Sequence, residues 1–247
     1  HRKGMEAENL IKEAQETIAK SLKAKPKEIF FTSGGTESNN TAIIGTALAN
    51  KRKGKHIITS RIEHASVYEP IAFLEDLGFE ITYLNVDSKG QILLEELETA
   101  IRPDTILVSL MFVNNEIGAV QPIKEAGEII KKKNKDTVFH VDAIQAYGKL
   151  PIVPKNLKID LLSMSGHKIH GPKGVGFLYV REGTKIQPLI YGGGQQKGMR
   201  SGTENVPGIA GLGCACRQMI GDHFENAEKI RTVKEYFQER IKEIEDI

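Results

Sequence analysis

The sequence predicts an α/β domain with a mostly parallel central sheet flanked by helices. Two observations predict this fold class. Short apolar segments of strand length alternate with longer segments of helical periodicity along the 247 residues, which is typical of sheets whose strands are joined by crossover helices. Small and polar residues also follow directly after several predicted strands, and open α/β sheets bind ligands beyond the carboxyl ends of their strands.

Seven segments have the length and the apolar content of β-strands. They are residues 28–32, 56–60, 79–86, 105–113, 137–141, 160–164 and 176–180. The segment 105–113 (TILVSLMFV) is apolar almost throughout, which predicts a strand buried on both faces of the sheet.

Seven segments are predicted to be helical. The first follows Gly4 and has Ile11, Ala14, Ile18 and Leu22 at helical spacing. The others are residues 33–49, 63–78, 95–101, 122–133, 206–220 and 226–247. Pro122 suits the first turn of its helix, where the missing N–H would have no partner.

The composition limits the class of protein. With 40% hydrophobic and 27% charged residues, the chain can bury a substantial core in one large or two small domains. A formal charge of +2 gives no reason to expect a nucleic acid or a membrane as partner. The apolar runs are too short for a membrane span, and no signal-peptide pattern is present. We therefore expect a cytoplasmic enzyme.

The stretch 161–176 (LLSMSGHKIHGPKGVG) places Lys168 between two histidines at the end of an apolar strand. A lysine in such a place is suited to form a Schiff base. A solvated lysine on a surface loop explains the stretch equally well. The residues alone leave both alternatives open.

Two further segments follow predicted strands. Residues 33–36 (SGGT) open a helix, where small residues and free backbone N–H groups favour a phosphate; the alternative is an ordinary helix cap in which Thr36 bonds its own helix. His64 could stack on a planar ligand or be a structural histidine. Metal binding is poorly supported, because no second His or Cys lies at ligand spacing from His64.

Asp142 ends the strand of residues 137–141, and Gln145 lies one turn further on. A carboxylate among apolar residues needs a cationic or hydrogen-bonding partner, and a protonated pyridine nitrogen would serve. The alternative is that Asp142 caps a short helix. An acid near a ring nitrogen together with a lysine for the aldehyde carbon is the pair that pyridoxal-phosphate enzymes need.

Two features remain ambiguous. The glycine-rich, polar segment 191–203 could be a mobile loop, a phosphate contact or a subunit contact. Cys214 and Cys216 lie on an apolar helix, where we expect both to be buried as small hydrophobic residues.

Six segments in chain order resemble the motifs of cysteine desulfurases of the NifS/IscS class. They are TSGGTESNN, IEHASV, VNNEIG, HVDAIQAYGK, SMSGHKIHGPKGVGFLY and GGGQQKGMRSGTEN, within residues 31–207. The resemblance implies the large domain of a pyridoxal 5'-phosphate (PLP)-dependent transferase of the aminotransferase-like fold, with a mostly parallel mixed sheet. The MRSGT segment resembles this class more than its SufS-type relatives.

The resemblance also implies roles around the cofactor ring. Lys168 would bind PLP as a Schiff base and then move the proton at the substrate Cα. Asp142 would pair with the pyridinium nitrogen, and His64 would stack on the ring and assist proton transfer. Asn115 and Gln145 would bond the phenolic oxygen of the ring.

Other residues would hold the phosphate. Gly35, Thr36, Ser165 and His167 would contact it within one subunit, whereas Thr203 would reach the phosphate of a partner subunit. The site therefore implies a homodimer, and the resemblance gives no metal site.

The implied reaction converts L-cysteine to L-alanine and transfers the sulfur to an enzyme cysteine as a persulfide. A sulfur-acceptor or iron–sulfur scaffold protein would then receive it, for cluster assembly or tRNA thiolation. A selenocysteine lyase or an aminotransferase on the same fold, or a non-catalytic PLP-binding fragment, are the alternatives.

The sequence departs from the family pattern at both ends. The resemblance implies that residues 1–247 form the PLP-binding large domain, with an incomplete N-terminal arm and without the C-terminal small domain, toward which the helix 226–247 leads. We expect the catalytic cysteine and the arginine for the substrate carboxylate beyond residue 247. Neither Cys214 nor Cys216 lies where the family has its attacking cysteine, so we expect this chain alone to be inactive.

Overall fold

The computed structural model describes residues 2–244, apart from the side chains of residues 222–225 and 227. Its helices are α1 (Arg2–Ser21), α2 (Gly35–Asn50), α3 (Ala65–Asp76), α4 (Leu94–Ala100), α5 (Ile123–Lys133) and α6 (Val206–Ile241). Its strands are β1 (Ile29–Thr32), β2 (His56–Ser60), β3 (Glu80–Leu84), β4 (Thr105–Met111), β5 (Val138–Asp142), β6 (Leu161–Ser165) and β7 (Gly176–Val180). Short 3₁₀ helices occupy Pro26–Glu28, Gly166–Ile169 and Gln196–Gly198.

These strands form one sheet in the order β1-β7-β6-β5-β4-β2-β3. Strands β2 to β6 pair in parallel, whereas β7 is antiparallel to both of its neighbours, β6 and β1. Strand β1 therefore runs in the same direction as the parallel strands. The sheet is mixed and mostly parallel, which confirms the predicted fold class, and the carboxyl ends of β1, β2, β4, β5 and β6 share one edge.

The predicted strands are all present, and the main differences are at the ends of β3 and β4. The sequence extended these strands to Val86 and Val113. In the structure Val86 pairs with Ile92 and Val113 pairs with Val120, in isolated antiparallel bridges outside the sheet. Both segments are extended and apolar, so the sequence pattern does not separate them from the strands that precede them.

The C-terminal helices were predicted wrongly as two. Residues 206–220 and the first part of 226–247 belong to one continuous helix, α6. Gly221 lies where the break was predicted, but a glycine costs a helix interior only about 1 kcal/mol, and no proline follows it to end the helix. Residues 245–247 of the predicted last helix lie outside the described part of the chain.

The hydrophobic core forms two layers, one on each face of the sheet. Helices α2 and α3 cover one face with residues such as Ile43 and Ile71. Helices α1, α4, α5 and α6 cover the other face, where Ile18, Leu97 and Leu212 are fully buried. Because both faces are covered, the edge at the carboxyl ends of the strands is left for a site.

Candidate active site

A cavity of about 190 Å³ lies at the carboxyl ends of the strands. The segments that follow β1, β2, β4, β5 and β6 form its walls. Nine of the ten predicted site residues line it: Gly35, Thr36, His64, Asn115, Asp142, Gln145, Ser165, His167 and Lys168. Ser66, Met111, Val113 and Ile144 complete the lining. The topology thus brings together residues that the sequence spreads over more than half of the chain.

The first turn of α2 forms one wall of this cavity. Gly34 begins the helix with a φ of 147°, a conformation that side chains disfavour, and no side chain caps the helix. A Cβ atom on Gly35 would overlap the Ile144 side chain. Thr36 is exposed, and it does not act as the cap that the alternative interpretation required. The backbone N–H groups of this turn are therefore suited to an anion.

Asp142 is a buried carboxylate at the end of β5. Its Oδ1 accepts a hydrogen bond from Ile144 N (3.0 Å), and its Oδ2 accepts one from Asn39 Nδ2 (2.8 Å). Burial raises the pKa of Asp142, although these two hydrogen bonds and nearby His64 act in the opposite direction. A cation placed beside this carboxylate would relieve the cost of burying its charge.

His64 lines the same cavity and begins α3. Its Nδ1 accepts a hydrogen bond from Ser66 N (3.1 Å) and lies 2.8 Å from Ser66 Oγ. Ser66 Oγ in turn accepts from Asn39 Nδ2 (2.8 Å), which leaves the Ser66 hydroxyl to donate to His64. The neutral ring of His64 therefore carries its proton on Nε2. Nδ1 of His64 is hydrogen-bonded within the chain and the residue lines the cavity, so the geometry is compatible with both interpretations of its role.

Lys168 lies in the 3₁₀ helix that follows β6 and is half-buried. Beside it, Ser165 Oγ lies 2.9 Å from His167 Nδ1. Burial, followed by the charges of Lys168 and Lys173, lowers the pKa of His167. This shift favours the neutral form of His167, which lines the cavity.

Asn115 and Gln145 lie on the loops after β4 and β5. Asn115 is exposed, and its Nδ2 donates to Glu116 Oε1 (2.7 Å). Gln145 is half-buried, and its Oε1 accepts from Lys149 Nζ (3.3 Å). Partial burial, followed by the charge of Lys168, lowers the pKa of Lys149, which does not itself line the cavity.

Thr203 is exposed and does not line the cavity. Its segment, residues 191–203, is hydrogen-bonded to the rest of the chain. Gln196 Oε1 accepts from Phe31 N (3.1 Å), and Arg200 pairs with Glu37 through contacts of 2.9 and 3.3 Å. These contacts fix the segment to β1 and α2, while leaving Thr203 free to contact another molecule.

Three polar residues beside the cavity were not predicted from the sequence: Asn39, Ser66 and Glu63. Asn39 lies one helical turn after Gly35, and this spacing could have indicated that it faces the same edge of the sheet. The Glu63 carboxyl group is buried, and its Oε1 accepts from Ser60 Oγ (2.6 Å) and Met111 N (2.9 Å). No local pattern distinguishes Glu63 from an exposed glutamate.

The two cysteines differ, and the expectation that both are buried was wrong for Cys214. Cys214 is exposed, whereas Cys216 is buried and its Sγ lies 3.0 Å from Tyr147 Oη. Cys214 lies on the solvent-facing side of α6 because Gly213 and Cys216 face inward, with Gly213 closely packed against Ala14 of α1. Neither cysteine lines the cavity.

Two further observations concern the described residues only. No helix among them is both long and apolar enough to cross a membrane. Among the side chains described, no group of three or more His, Cys, Asp or Glu residues is arranged to hold a metal ion.

The chain resembles known proteins over its whole length. The family model described as aminotransferase class-V matches residues 1–247. Cysteine desulfurase IscS from Dictyoglomus turgidum is 52% identical over 99% of this chain and 61% of its own length. Cysteine desulfurase IscS from Methanosarcina thermophila is 57% identical over 86% of this chain and 52% of its own length.

Solved structures show the same similarity. A NifS-like protein superposes with a TM-score of 0.96 at 44% identity, over 98% of this chain and 67% of the other. A structure described as SspA in complex with cysteine has a TM-score of 0.84 at 47% identity, over 88% of this chain and 62% of the other. The chain spans between about half and two thirds of the length of these relatives. From the match along its entire length, the chain belongs to the aminotransferase class-V family.

Proposed function

We propose that this chain is the cofactor-binding large domain of a PLP-dependent cysteine desulfurase, which converts L-cysteine to L-alanine and passes the sulfur to an enzyme cysteine. The observation that carries the proposal is the pairing of a buried carboxylate with an amine in one cavity. Asp142 and Lys168 both line it, from the ends of adjacent strands. The choice of reaction is supported by the sequence identity of 52% and 57% to two desulfurases named IscS.

The chemistry of the cavity fits PLP. Both oxygens of Asp142 accept hydrogen bonds, so the carboxylate is prepared to hold a negative charge next to a ring cation. The uncapped first turn of α2 and the hydroxyl of Ser165 are suited to a phosphate. The apolar side chains of Met111, Val113 and Ile144 line the same cavity.

In this proposal the residues around the ring have distinct tasks. Lys168 would bind the cofactor covalently and then move the proton at the substrate Cα. Asp142 would stay ionised and hold a proton on the ring nitrogen. His64 would stack on the ring and assist proton transfer, while Asn115 and Gln145 would bond the ring oxygen. The bound cofactor would supply an electron-withdrawing ring that stabilises negative charge at the substrate Cα.

The phosphate would be held by Gly35, Thr36, Ser165 and His167. Thr203 would reach the phosphate bound in a partner subunit, since it is exposed on an anchored segment outside its own cavity. This assignment makes the working protein a homodimer, with each site completed by the other subunit.

The sulfur step needs a thiolate that attacks the substrate sulfur. Cys216 is buried against Tyr147, and Cys214 lies on α6 away from the cavity lining. We therefore propose that residues outside these 247 supply the thiolate, and also the arginine for the substrate carboxylate. L-Cysteine as substrate is supported by the related structure described as a complex with cysteine. We also propose that a sulfur-acceptor or scaffold protein in the cytoplasm receives the sulfur.

The test begins with the purified chain and PLP. We expect a yellow protein whose visible absorbance is bleached by borohydride, which reduces the imine between the cofactor and the lysine. We expect Lys168→Ala to lose both properties, because only a primary amine at this position can form the covalent link. Lys173→Ala, which removes a neighbouring lysine that does not line the cavity, is the matched control and should keep both. A chain that stays colourless with excess PLP would contradict the proposal.

The reaction is tested on a protein that also carries the region found in the longer relatives. With L-cysteine we expect sulfide, in the presence of a reductant, and alanine in equal amounts. An aminotransferase would produce a keto acid instead, and a selenocysteine lyase would act on selenocysteine but not on cysteine. The 247-residue chain alone is expected to release no sulfide.

A further inference from the structure

Glu63 is a half-buried residue whose carboxyl group is buried beside the cavity, and the proposed function gives it no task. It lies on the segment between β2 and α3, directly before His64. Its Oε1 accepts hydrogen bonds from Ser60 Oγ (2.6 Å) and from Met111 N (2.9 Å). Its Oε2 is buried and has no hydrogen-bond partner among the described residues.

This arrangement suits a neutral carboxylic acid better than a carboxylate. An ionised carboxylate spreads its charge over both oxygens and needs donors on each, whereas a buried oxygen without a donor makes the charge costly. Asp142 shows the contrast, because an N–H group donates to each of its oxygens. The hydrogen bonds therefore stabilise a negative charge on both oxygens of Asp142, but on only one oxygen of Glu63.

The groups around Glu63 act in the same direction. Among the described residues, the ionisable group whose charge acts on Glu63 is Asp142 on β5, and its negative charge disfavours a second one nearby. His64, on Glu63's own segment, interacts with Asp142. Ser60 and Met111 N contribute neutral dipoles from β2 and β4. Burial together with the charge of Asp142 raises the pKa of Glu63 to about 8, against the effect of its two hydrogen bonds.

The position of Glu63 connects it to the site. Its contact with Met111 N ties the segment that carries His64 to the end of β4. A second contact reinforces this tie, since Asn114 Nδ2 donates to the carbonyl oxygen of Ile62 (2.9 Å). His64 and Met111, which both line the cavity, are thereby held at a fixed separation.

We propose that Glu63 is a positioning residue that works as a neutral acid: it clamps the His64 segment to β4 and adds no negative charge beside Asp142. The part that concerns the cofactor rests on the proposed function. The protonation state and the clamp do not, because both are properties of the protein without cofactor.

The first experiment tests Glu63 without cofactor. Infrared difference spectra of the 247-residue chain at neutral pH should contain the C=O stretch of a buried protonated carboxyl, and Glu63→Gln should remove it. The matched control is Glu69→Gln, which changes an exposed glutamate on α3 and should leave the band in place. If Glu63→Gln removes no such band from the parent spectrum, the neutral-acid assignment is overturned.

The second experiment tests the clamp through His64. The NMR signals of the His64 ring should be nearly unchanged in Glu63→Gln, because the amide oxygen still accepts from Ser60 and Met111. They should shift in Glu63→Ala, which removes the acceptor. If the His64 signals respond equally to Glu63→Ala and to Glu69→Gln, the clamp is refuted.

The third experiment measures PLP affinity in the same variants. Loss of the acceptor in Glu63→Ala leaves two buried donors unpaired, and we expect the dissociation constant to rise about tenfold or more. Glu63→Gln should stay within about threefold of the parent, since it keeps the acceptor and adds no charge. If Gln weakens binding as much as Ala does, a charged Glu63 is required and the proposal is wrong.

The three experiments distinguish a failure of this proposal from a failure of the proposed function. If the parent chain binds no PLP, the proposed function fails, while the infrared and NMR results still decide the state and the clamp of Glu63. If Glu63→Ala does not fold, Glu63→Gln and the infrared band alone decide the neutral-acid assignment.

Discussion

A chain of hydrogen bonds connects the two predicted ring-binding residues, Asp142 and His64. Asn39 donates to both Asp142 Oδ2 and Ser66 Oγ, and Ser66 donates to His64 Nδ1. The orientation of the Asn39 amide follows from the carboxylate, because an amide oxygen facing it would be repelled. Through Asn39 and Ser66, the carboxylate of Asp142 thus determines which ring nitrogen of His64 carries the proton.

Asp142→Asn tests the charge that this chain of hydrogen bonds surrounds. Asparagine has nearly the same shape, but its amide group would place a donor against Ile144 N or Asn39 Nδ2. It also removes the negative charge, so we expect PLP affinity to fall at least about tenfold. Equilibrium titration with PLP measures this effect. The control Asp136→Asn removes an exposed carboxylate and should bind as the parent does; equal affinities for both variants would contradict the role of Asp142.

The sequence predicted those site residues whose place follows from a strand end. Asp142, Ser165 and Lys168 were predicted because polar residues stand where apolar strands stop, and all three line the cavity. Asn39 could have been found from its spacing after Gly35, but Ser66 was missed because its importance depends on a contact between α2 and α3, which no spacing along the chain records. Glu63 was missed for the same reason, since its partner is a backbone N–H group of β4.

At the level of elements, α2 joins the cavity to the glycine-rich segment 191–203. The Glu37 side chain, in the first turn of α2, pairs with Arg200, and both side chains are mostly buried, at 13% and 28% exposure. Arg200 and Ser33 N together lower the pKa of Glu37, although burial alone would raise it. The pair therefore fixes the segment that carries Thr203 to the helix that lines the cavity.

A double-mutant cycle with Glu37→Gln and Arg200→Gln should detect this link. We expect a coupling free energy of about 1 to 3 kcal/mol, because the pair is two-pronged and largely shielded from water. Urea unfolding of the parent, the two single variants and the double variant gives the value. The exposed pair Arg240 and Glu243 serves as control and should couple by less than about 1 kcal/mol. Coupling near zero for the first pair would show that it does not anchor the segment.

Elements differed in how well the sequence predicted them. Strands β1 to β7 were predicted because each is short, apolar and bounded by turns. The continuity of α6 was not predicted, and Gly221 lies inside the helix in the structure. The exposure of Cys214 was missed because an apolar helix does not by itself reveal which side packs against α1.

At the scale of the whole molecule, a buried polar row crosses the sheet beneath the cavity. His140, on β5, lies between Ser109 of β4 and Ser163 of β6, with Nδ1 and Nε2 at 2.8 and 2.9 Å from their hydroxyl oxygens. These residues share a face with Met111, Asp142 and Ser165, two positions further along each strand. The row thus joins the three strands directly below the residues that line the site.

Because of this row, the free energy of unfolding depends on pH. Burial lowers the pKa of His140 from 6.5 to about 3, so between these values the unfolded chain binds a proton that the folded chain does not. The free energy of unfolding from this residue therefore decreases as the pH falls through this window, by up to about 1.4 kcal/mol for each pH unit. Glu63 acts oppositely: its raised pKa removes stability as the pH rises from 4.5 toward about 8.

Comparing variants with the parent isolates the two contributions. Urea unfolding of His140→Gln between pH 6.5 and pH 4.5 should show a smaller loss of stability toward acid than the parent, because glutamine can still bond both serines without titrating. Glu63→Gln should show the reverse over the same range, with a greater loss toward acid. Since the contributions of the two residues have opposite signs in this range, the unfolding free energy of the parent should change less with pH than either contribution alone would predict. If His140→Gln follows the parent at every pH, His140 is not held neutral by the sheet, and the row has no part in acid stability.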